Sequence, residues 1–336
     1  METVSFGKTG MKVSQLCFGT MTIGSSAWKP WVLDKAEAQE VLKRCLDLGI
    51  TFFDTANWYS TGESEHVVGS TLTSMVPRDQ LVLATKAYYA MSDDPNDRGL
   101  SRKHLLSSVD ASLRRMGTEY IDLFVIHAYD TGTPIEETME VLHDIVKAGK
   151  VRYLGASTMF AWQFEQMNHV ARLNGWTSFI NMQCQYNLLY REEEREMIPY
   201  CQDQGIAITA FSPLARGWLS GSKKVRSQTD LSFIAFHGDA LDLEIIAKVE
   251  DIAEVHGTGM AEVALAWVYS RHDICCPIIG ASSVSQVEKN VGALDLVLSM
   301  DEINTLEQLY RPRDVINDYV PEPMPRYLQA NTNKEN

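Results

Sequence analysis

The chain has 336 residues, 45% of them hydrophobic, with a formal net charge of −14 and a pI near 5.0. That length suits one large barrel-sized domain or two ordinary ones. The excess of acid argues against a nucleic-acid backbone or an anionic membrane as the main partner, while leaving room for a local basic pocket that takes a phosphate.

The first residues, METVSFGKTGMKVS, contain no apolar signal core, and no apolar run reaches membrane-spanning length. The polar end, LQANTNKEN, carries no lipidation or peroxisomal signal. Cys17, Cys45, Cys184, Cys201, Cys275 and Cys276 form no CxxC pair. They read as reduced core residues of a cytoplasmic protein. Nothing in the chain suggests a metal site.

In chain order, VSFGKTGMKVS reads as a small hairpin turning at Gly10. Eight apolar runs then read as strands: 16–20, 51–54, 81–86, 121–127, 151–157, 179–185, 206–211 and 274–281. They lack polar alternation, so both faces are buried, as in parallel sheets. Helical patterns fall between them, over 34–48, 101–116, 161–174, 192–205, 242–256 and 260–272, with a last helix opening at Ser283. In the second of these, Leu105, Leu106, Val109, Leu113 and Met116 share one face behind an N-cap at Ser101. A further helix has Thr133 and Glu136 as a capping box, Pro134 at its first position and Gly149 after its end. Arg191 to Arg195 reads as a solvated helix start. The order predicts a closed (β/α)8 barrel with extra helices, one domain over 1–320 and a polar tail over 321–336. An open doubly wound sheet is the alternative, but GTMTIG after the first strand is not a GxGxxG turn.

In such a barrel, chemistry lies at the C-terminal strand ends. Those ends are Asp54 (with Tyr59 in the next loop), Lys86, His127, Ser157-Thr158, Gln183 with Gln185, and Phe211-Ser212. A phenol is a poor acid at neutral pH, but an ammonium beside it favours the phenolate. A carboxylate such as Asp54 would keep Lys86 charged, making Tyr59 a candidate proton donor, with His127 bonding a substrate oxygen. Taken singly, each residue has a plainer reading: a structural ion pair, a loop aromatic, a core histidine. Trp28, Trp31 and Trp58 in the mouth loops are candidates for an apolar substrate pocket, or for packing beneath those loops.

GITFFDTANWYSTGESEHVVG resembles the aldo-keto reductase signature. LATK, FVIH, GAST, NMQCQYNLLYREEE, AFSPLARGWLSG and PIIGASSVSQVEKNVGAL are similar to that family's later blocks, in the same order. The match covers about 4–320 and is nearest the aryl-alcohol dehydrogenase-like and fungal polyketide-type branch. The resemblance implies reduction of an aldehyde or ketone, with NADPH more expected than NADH. It implies Tyr59 as acid, Lys86 and Asp54 as its tuning pair, and His127 as the residue orienting the carbonyl. It places Ser157, Thr158 and Gln183 on the nicotinamide carboxamide and Phe211 under the ring. Ser212, Leu214, Arg216 and Gly217 fall along the pyrophosphate, and Gly19, Thr20 and Met21 at the first strand.

The resemblance also implies cofactor contacts from Gly280, Ser282, Gln286 and Asn290, and here the chain departs from the family. Thr158 stands where Asn is usual. Gly280, Ala281 and Gln286 replace Lys, Ser and Arg, and Lys289 replaces Glu. A 2′-phosphate favours Arg or Lys, so this weakens the expected preference for NADPH. Ser282, Ser283 and Gln286 at a helix N-terminus, with Lys289, are the substitute cradle. Gln286 is equally readable as a helix cap. Two other readings compete with the reductase. One is a Schiff-base lyase using Lys86; the other is a slow regulatory member of the same family.

Overall fold

In the computed structural model, which describes residues 1–221, 237–271, 274 and 276–315, the apolar runs pair side by side into one closed ring. An antiparallel hairpin, β1 (Thr3–Ser5) and β2 (Lys12–Ser14), comes first. Eight parallel strands follow: β3 (Cys17–Gly19), β4 (Phe52–Asp54), β5 (Val82–Ala87), β6 (Ile121–Ile126), β7 (Val151–Ser157), β8 (Asn181–Gln185), β9 (Ala207–Phe211) and β10 (Cys276–Ile279). They close in sequence order, with β10 beside β3. This is a (β/α)8 barrel with an N-terminal hairpin.

The hairpin closes the end of the barrel opposite the C-terminal strand ends. Phe6 is fully buried and meets Phe52 edge-on at 5.7 Å, in a cluster with Cys17, Ala84, Leu123 and Ala207. Its left-handed residue is Gly7 (φ 58), not Gly10. A Cβ at Gly7 would lie 2.6 Å from the Gly205 carbonyl oxygen, which accepts the Lys8 amide. The turn is therefore set by docking against the barrel floor.

The helices are α1 (Lys35–Asp47), α2 (Glu63–Met75), α3 (Arg102–Met116), α4 (Ile135–Lys147), α5 (Ala161–Leu173), α6 (Met197–Gln204), α7 (Ala240–His256), α8 (Met260–Tyr269), α9 (Val284–Gly292) and α10 (Met300–Glu307). Ser101 caps α3 as expected, accepting from the His104 amide. Leu105, Val109 and Met116 are buried there, but Leu106 is 37% exposed and lies off that face. The capping box at α4 does not form. Thr133 donates to Asp130 instead, and Pro134 is the N-cap rather than the first helical residue.

The charge run after β8 is not a solvated helix start. It is a short 3-10 turn over Glu192–Glu194. Arg191 makes two hydrogen bonds to Glu194 and one to Glu307. Glu192 accepts from Tyr310 and from the Arg313 amide. The run thus binds the segment after α10 to the barrel. The five described cysteines are buried, and burial pushes the thiols of Cys17, Cys45, Cys184 and Cys201 up, away from the thiolate form. Cys275 and the tail over 321–336 lie outside the described residues. Among the described residues, no helix is long and apolar enough to cross a membrane.

Candidate active site

The strand ends converge as a barrel requires. Asp54 closes β4 and is 3% exposed. Its Oδ2 accepts from Lys86 Nζ at 2.5 Å, and its Oδ1 accepts from Gln183 Nε2 at 3.1 Å. Lys86, on β5, is fully buried and also donates to the Thr55 carbonyl at 2.8 Å. The Asp54 carbonyl accepts from the amide and hydroxyl of Thr20. Lys86 and Gln183 therefore hold the two carboxylate oxygens while Thr20 anchors the Asp54 backbone, and the buried charges are paired as their desolvation demands.

Tyr59 lies over this pair. Lys86 Nζ is 5.0 Å from its ring centroid, and the His127 ring is 5.9 Å away, edge-on. From Tyr59 the chain turns into α2 through three consecutive left-handed residues, Ser60 (φ 48), Thr61 (φ 52) and Gly62 (φ 93). His127 sits immediately after β6 and is 7% exposed. Burial, and then the Lys86 charge, hold its pKa well below the usual histidine value. Its imidazole is neutral at neutral pH, a hydrogen-bonding group rather than an acid.

An aromatic wall runs from His127. The Tyr89 ring is 4.8 Å from His127 and 5.3 Å from Trp58; Trp58 is 5.2 Å from Trp28, which is 6.3 Å from Trp31. The three tryptophans expected in the mouth are thus brought together. Tyr89, the link between them and His127, was not singled out in the sequence. Its signal was the Tyr88-Tyr89 pair directly after Lys86-Ala87.

On the other side, Ser157 and Thr158 close β7, their hydroxyls 3.1 Å apart, with Thr158 at φ 49. Gln183 is 4% exposed, and Phe211 ends β9 partly buried. The next loop bends through Ser212 (φ 54), Ala215 (φ 47), Arg216 (φ 58) and Gly217 (φ 110), with Leu214 between them. Asn187 Nδ2 donates to the Ser212 carbonyl at 3.0 Å and so fixes where this loop leaves the strand. Gly19, Thr20 and Met21 lie at the end of β3.

The last block sits apart from the centre. Ser283 caps α9, accepting the Gln286 amide. Gln286 Oε1 accepts from both the amide and hydroxyl of Ser282, so its side chain acts as a cap. Asn290 Nδ2 donates to the Gly280 carbonyl, and Lys289 is exposed. The Thr22 hydroxyl donates to the Ala281 carbonyl and joins the first loop to this block.

The mouth fits a polar planar group beside an apolar ring. Among the described residues, Gln185 Nε2 and Asn57 Oδ1 are buried there without a hydrogen-bond partner. Buried polar groups are nearly always satisfied, so orphans at a strand-end mouth mark a place for a ligand. No group of three or more potential metal-ligating side chains occurs among the described residues.

Known proteins match this arrangement along most of the chain. A 42% identical relative is an aldo-keto reductase of Fusarium vanettenii, with 92% of this chain and 91% of the relative covered. A versiconal hemiacetal acetate reductase of Aspergillus parasiticus is 40% identical, covering 94% and 98%. A Schizosaccharomyces pombe protein bearing an aryl-alcohol dehydrogenase name is 41% identical, covering 91% and 95%. With the family model for aldo/keto reductases also matching residues 15–311, the chain belongs to the aldo/keto reductase family.

Proposed function

We propose that the chain reduces the carbonyl of a small aldehyde or ketone to an alcohol, with Tyr59 giving the proton to the carbonyl oxygen. The observation that carries this reading is the meeting of Asp54, Lys86, Tyr59 and His127 at one mouth. A nicotinamide dinucleotide, the cofactor type of this family, would supply the hydride when bound. Neutral His127 directs a hydrogen bond at the carbonyl oxygen and orients it. The Lys86 ammonium, held by Asp54 and Thr55, favours the negative charge that remains on the Tyr59 oxygen as its proton leaves.

Ser157, Thr158 and Gln183 would hold the carboxamide, and Phe211 the face of the ring. Ser212, Leu214, Arg216 and Gly217 would follow the pyrophosphate, with Gly19, Thr20 and Met21 beside it. Gly280, Ser282, Gln286 and Asn290 would take the adenosine end. NADPH is favoured over NADH through Lys289 and the α9 N-terminus, with the preference weakened because Gly280 and Gln286 bring no cation.

Trp28, Trp58 and Tyr89 form a wall suited to aromatic or polyketide-like carbonyls, in keeping with the names of the Aspergillus and Schizosaccharomyces relatives. Lys86 is fully buried and donates to two oxygens, which suits a held cation rather than a Schiff-base amine.

The test is Tyr59→Phe. Turnover should fall by about 10²–10⁴, the usual contribution of a general acid, with dinucleotide affinity nearly unchanged. Full turnover in the phenylalanine variant would remove Tyr59 from the mechanism.

A further inference from the structure

We propose that Glu65 and Arg115 are positioning residues for the proton donor, acting from outside the barrel wall; this rests on Tyr59 being that donor. Tyr59 is followed by Ser60 and Thr61 in left-handed backbone, which is strained for side-chain-bearing residues. Such a bend persists only where its surroundings dictate it. Two sets of contacts do so, and both end on β5.

Upstream of Tyr59, the Thr55 amide donates to the Ala84 carbonyl at 2.9 Å and the Asn57 amide to the Lys86 carbonyl at 3.0 Å. Downstream, α2 starts, and Glu65 in its first turn is fully buried. Its Oε1 accepts from the Thr85 hydroxyl at 2.6 Å, and its Oε2 from Arg115 Nε at 2.5 Å. Strand alternation puts Thr85 on the helix-facing side of β5 while Lys86 points to the mouth. The donor's turn is thereby referenced to the strand that carries its lysine. Arg115 also shapes the bend. A Cβ on Gly62 would lie 2.6 Å from Arg115 Cδ, so the arginine stem occupies the space that only glycine leaves open. Ser60 Oγ accepts the Ser25 amide and ties the same turn to the first loop.

If the Arg115–Glu65–Thr85 link relaxes, the first turn of α2 is free to shift. The Tyr59 hydroxyl then moves relative to Lys86, while Ser157, Gln183 and Phe211 stay in place. A displacement near 1 Å is enough to cost about a hundredfold in rate. The signature is therefore a fall in kcat without a fall in dinucleotide affinity.

The experiment compares Glu65→Gln, Arg115→Met, Arg115→Lys and the Glu65→Gln/Arg115→Met double variant in the full chain. Each is assayed for kcat with an aromatic aldehyde and for NADPH and NADH binding by titration. Glu65→Gln and Arg115→Met should each lower kcat about ten- to a hundredfold with dinucleotide Kd within about twofold. Arg115→Lys should recover most of the rate, and the double variant should be no slower than the worse single one, because the residues act as a unit. Thr85→Val removes the hydroxyl but keeps the shape. It provides the same readout, a smaller kcat loss at constant Kd, should the charge variants not fold.

A purely structural ion pair would lower the melting temperature while leaving kcat per folded molecule unchanged, and that result overturns the proposal. Equal loss of kcat in Arg115→Lys and Arg115→Met overturns it too. Tyr59→Phe, run alongside, separates the two levels. If it keeps full turnover, the reading of Tyr59 has failed. If it is inactive while Glu65→Gln and Thr85→Val turn over normally, only the positioning role has.

Discussion

Glu193→Gln should stabilise the protein above neutral pH and have little effect in acid. Glu193 lies in the turn after β8, facing a cavity of about 180 Å³ bordered by Met182, Cys184 and Met197. It makes no hydrogen bond or ion pair with the other described residues, whereas Glu192 and Glu194 are both held by arginines. Burial, and then repulsion from Glu192, push its carboxyl up from 4.5 to about 7. Because the folded value is the higher one, the folded chain keeps a proton that the unfolded chain has released. Stability from this group is fully present below about 4.5 and is lost as pH rises through about 7. At 1.36 kcal/mol per pKa unit, that rise is worth about 3 kcal/mol. Glu193 is partly exposed, and solvent screening reduces the expected gain to about 1–3 kcal/mol. For a chain of 336 residues the unfolding entropy is about 0.7 kcal/mol/K, so the melting temperature should rise by about 1–4 °C. The assay is thermal unfolding of wild type and Glu193→Gln at pH 5 and pH 8. A shift that is equal at both values, or larger at pH 5, refutes the reasoning.

Lys86→Met should abolish turnover and destabilise the fold by about 3–5 kcal/mol, because Asp54 is left buried without its cation. Asp54→Asn added to it should recover part of the stability and none of the activity, read by urea unfolding and cofactor oxidation. His127 and His104 are both held below their ordinary value by burial, so each must gain a proton on unfolding in acid. Their contribution is full above about 6.5 and is lost as pH falls below it; His104→Gln should flatten that limb of the unfolding midpoint between pH 7 and pH 5. Gln286→Arg should raise the preference for NADPH over NADH by about tenfold, since a guanidinium there meets a 2′-phosphate that the capping amide cannot neutralise. Unchanged relative affinities in the two titrations would place the phosphate elsewhere.

The barrel was legible because each strand is an unbroken apolar run ending in a polar residue, a pattern set by burial on both faces. The main polar centre was legible for the same reason: Asp54, Lys86 and His127 each stand at the end of such a run. Other elements left weaker marks. Helix α2 carries Ser64, Gly69 and Thr71 on its buried side, with Gly69 against the Met116 carbonyl, so its apolar period is faint. The Thr133 box failed because Asp130, three residues earlier in the same loop, competed for its hydroxyl. The charge run at Arg191 looked solvated because its partners, Glu307, Tyr310 and Arg313, lie more than a hundred residues away. Tyr89, Asn187 and Glu65 were missed because contact, not spacing, gives them their roles.

The charge of the chain and the charge of the proposed cofactor have the same sign, and the site has to resolve that conflict locally. A net charge of −14 repels a dinucleotide at long range, but at physiological ionic strength fields are screened beyond about 8 Å. Within that distance, the loop from Ser212 to Gly217 bends through four left-handed residues, its shape fixed by the Ala215 and Gly217 amides donating to the Ser212 and Leu214 carbonyls. Arg216 lies in the same bend, and the α9 N-terminus adds the positive end of a helix. In the proposed reading, the α9 helix end and Arg216 would serve the dinucleotide phosphates in place of further side-chain cations. An amide carries a partial charge and no counterion, so its contribution is less sensitive to salt than that of an arginine. In the proposed reading, dinucleotide affinity in this chain is therefore set by the geometry of two loops more than by the number of its cations.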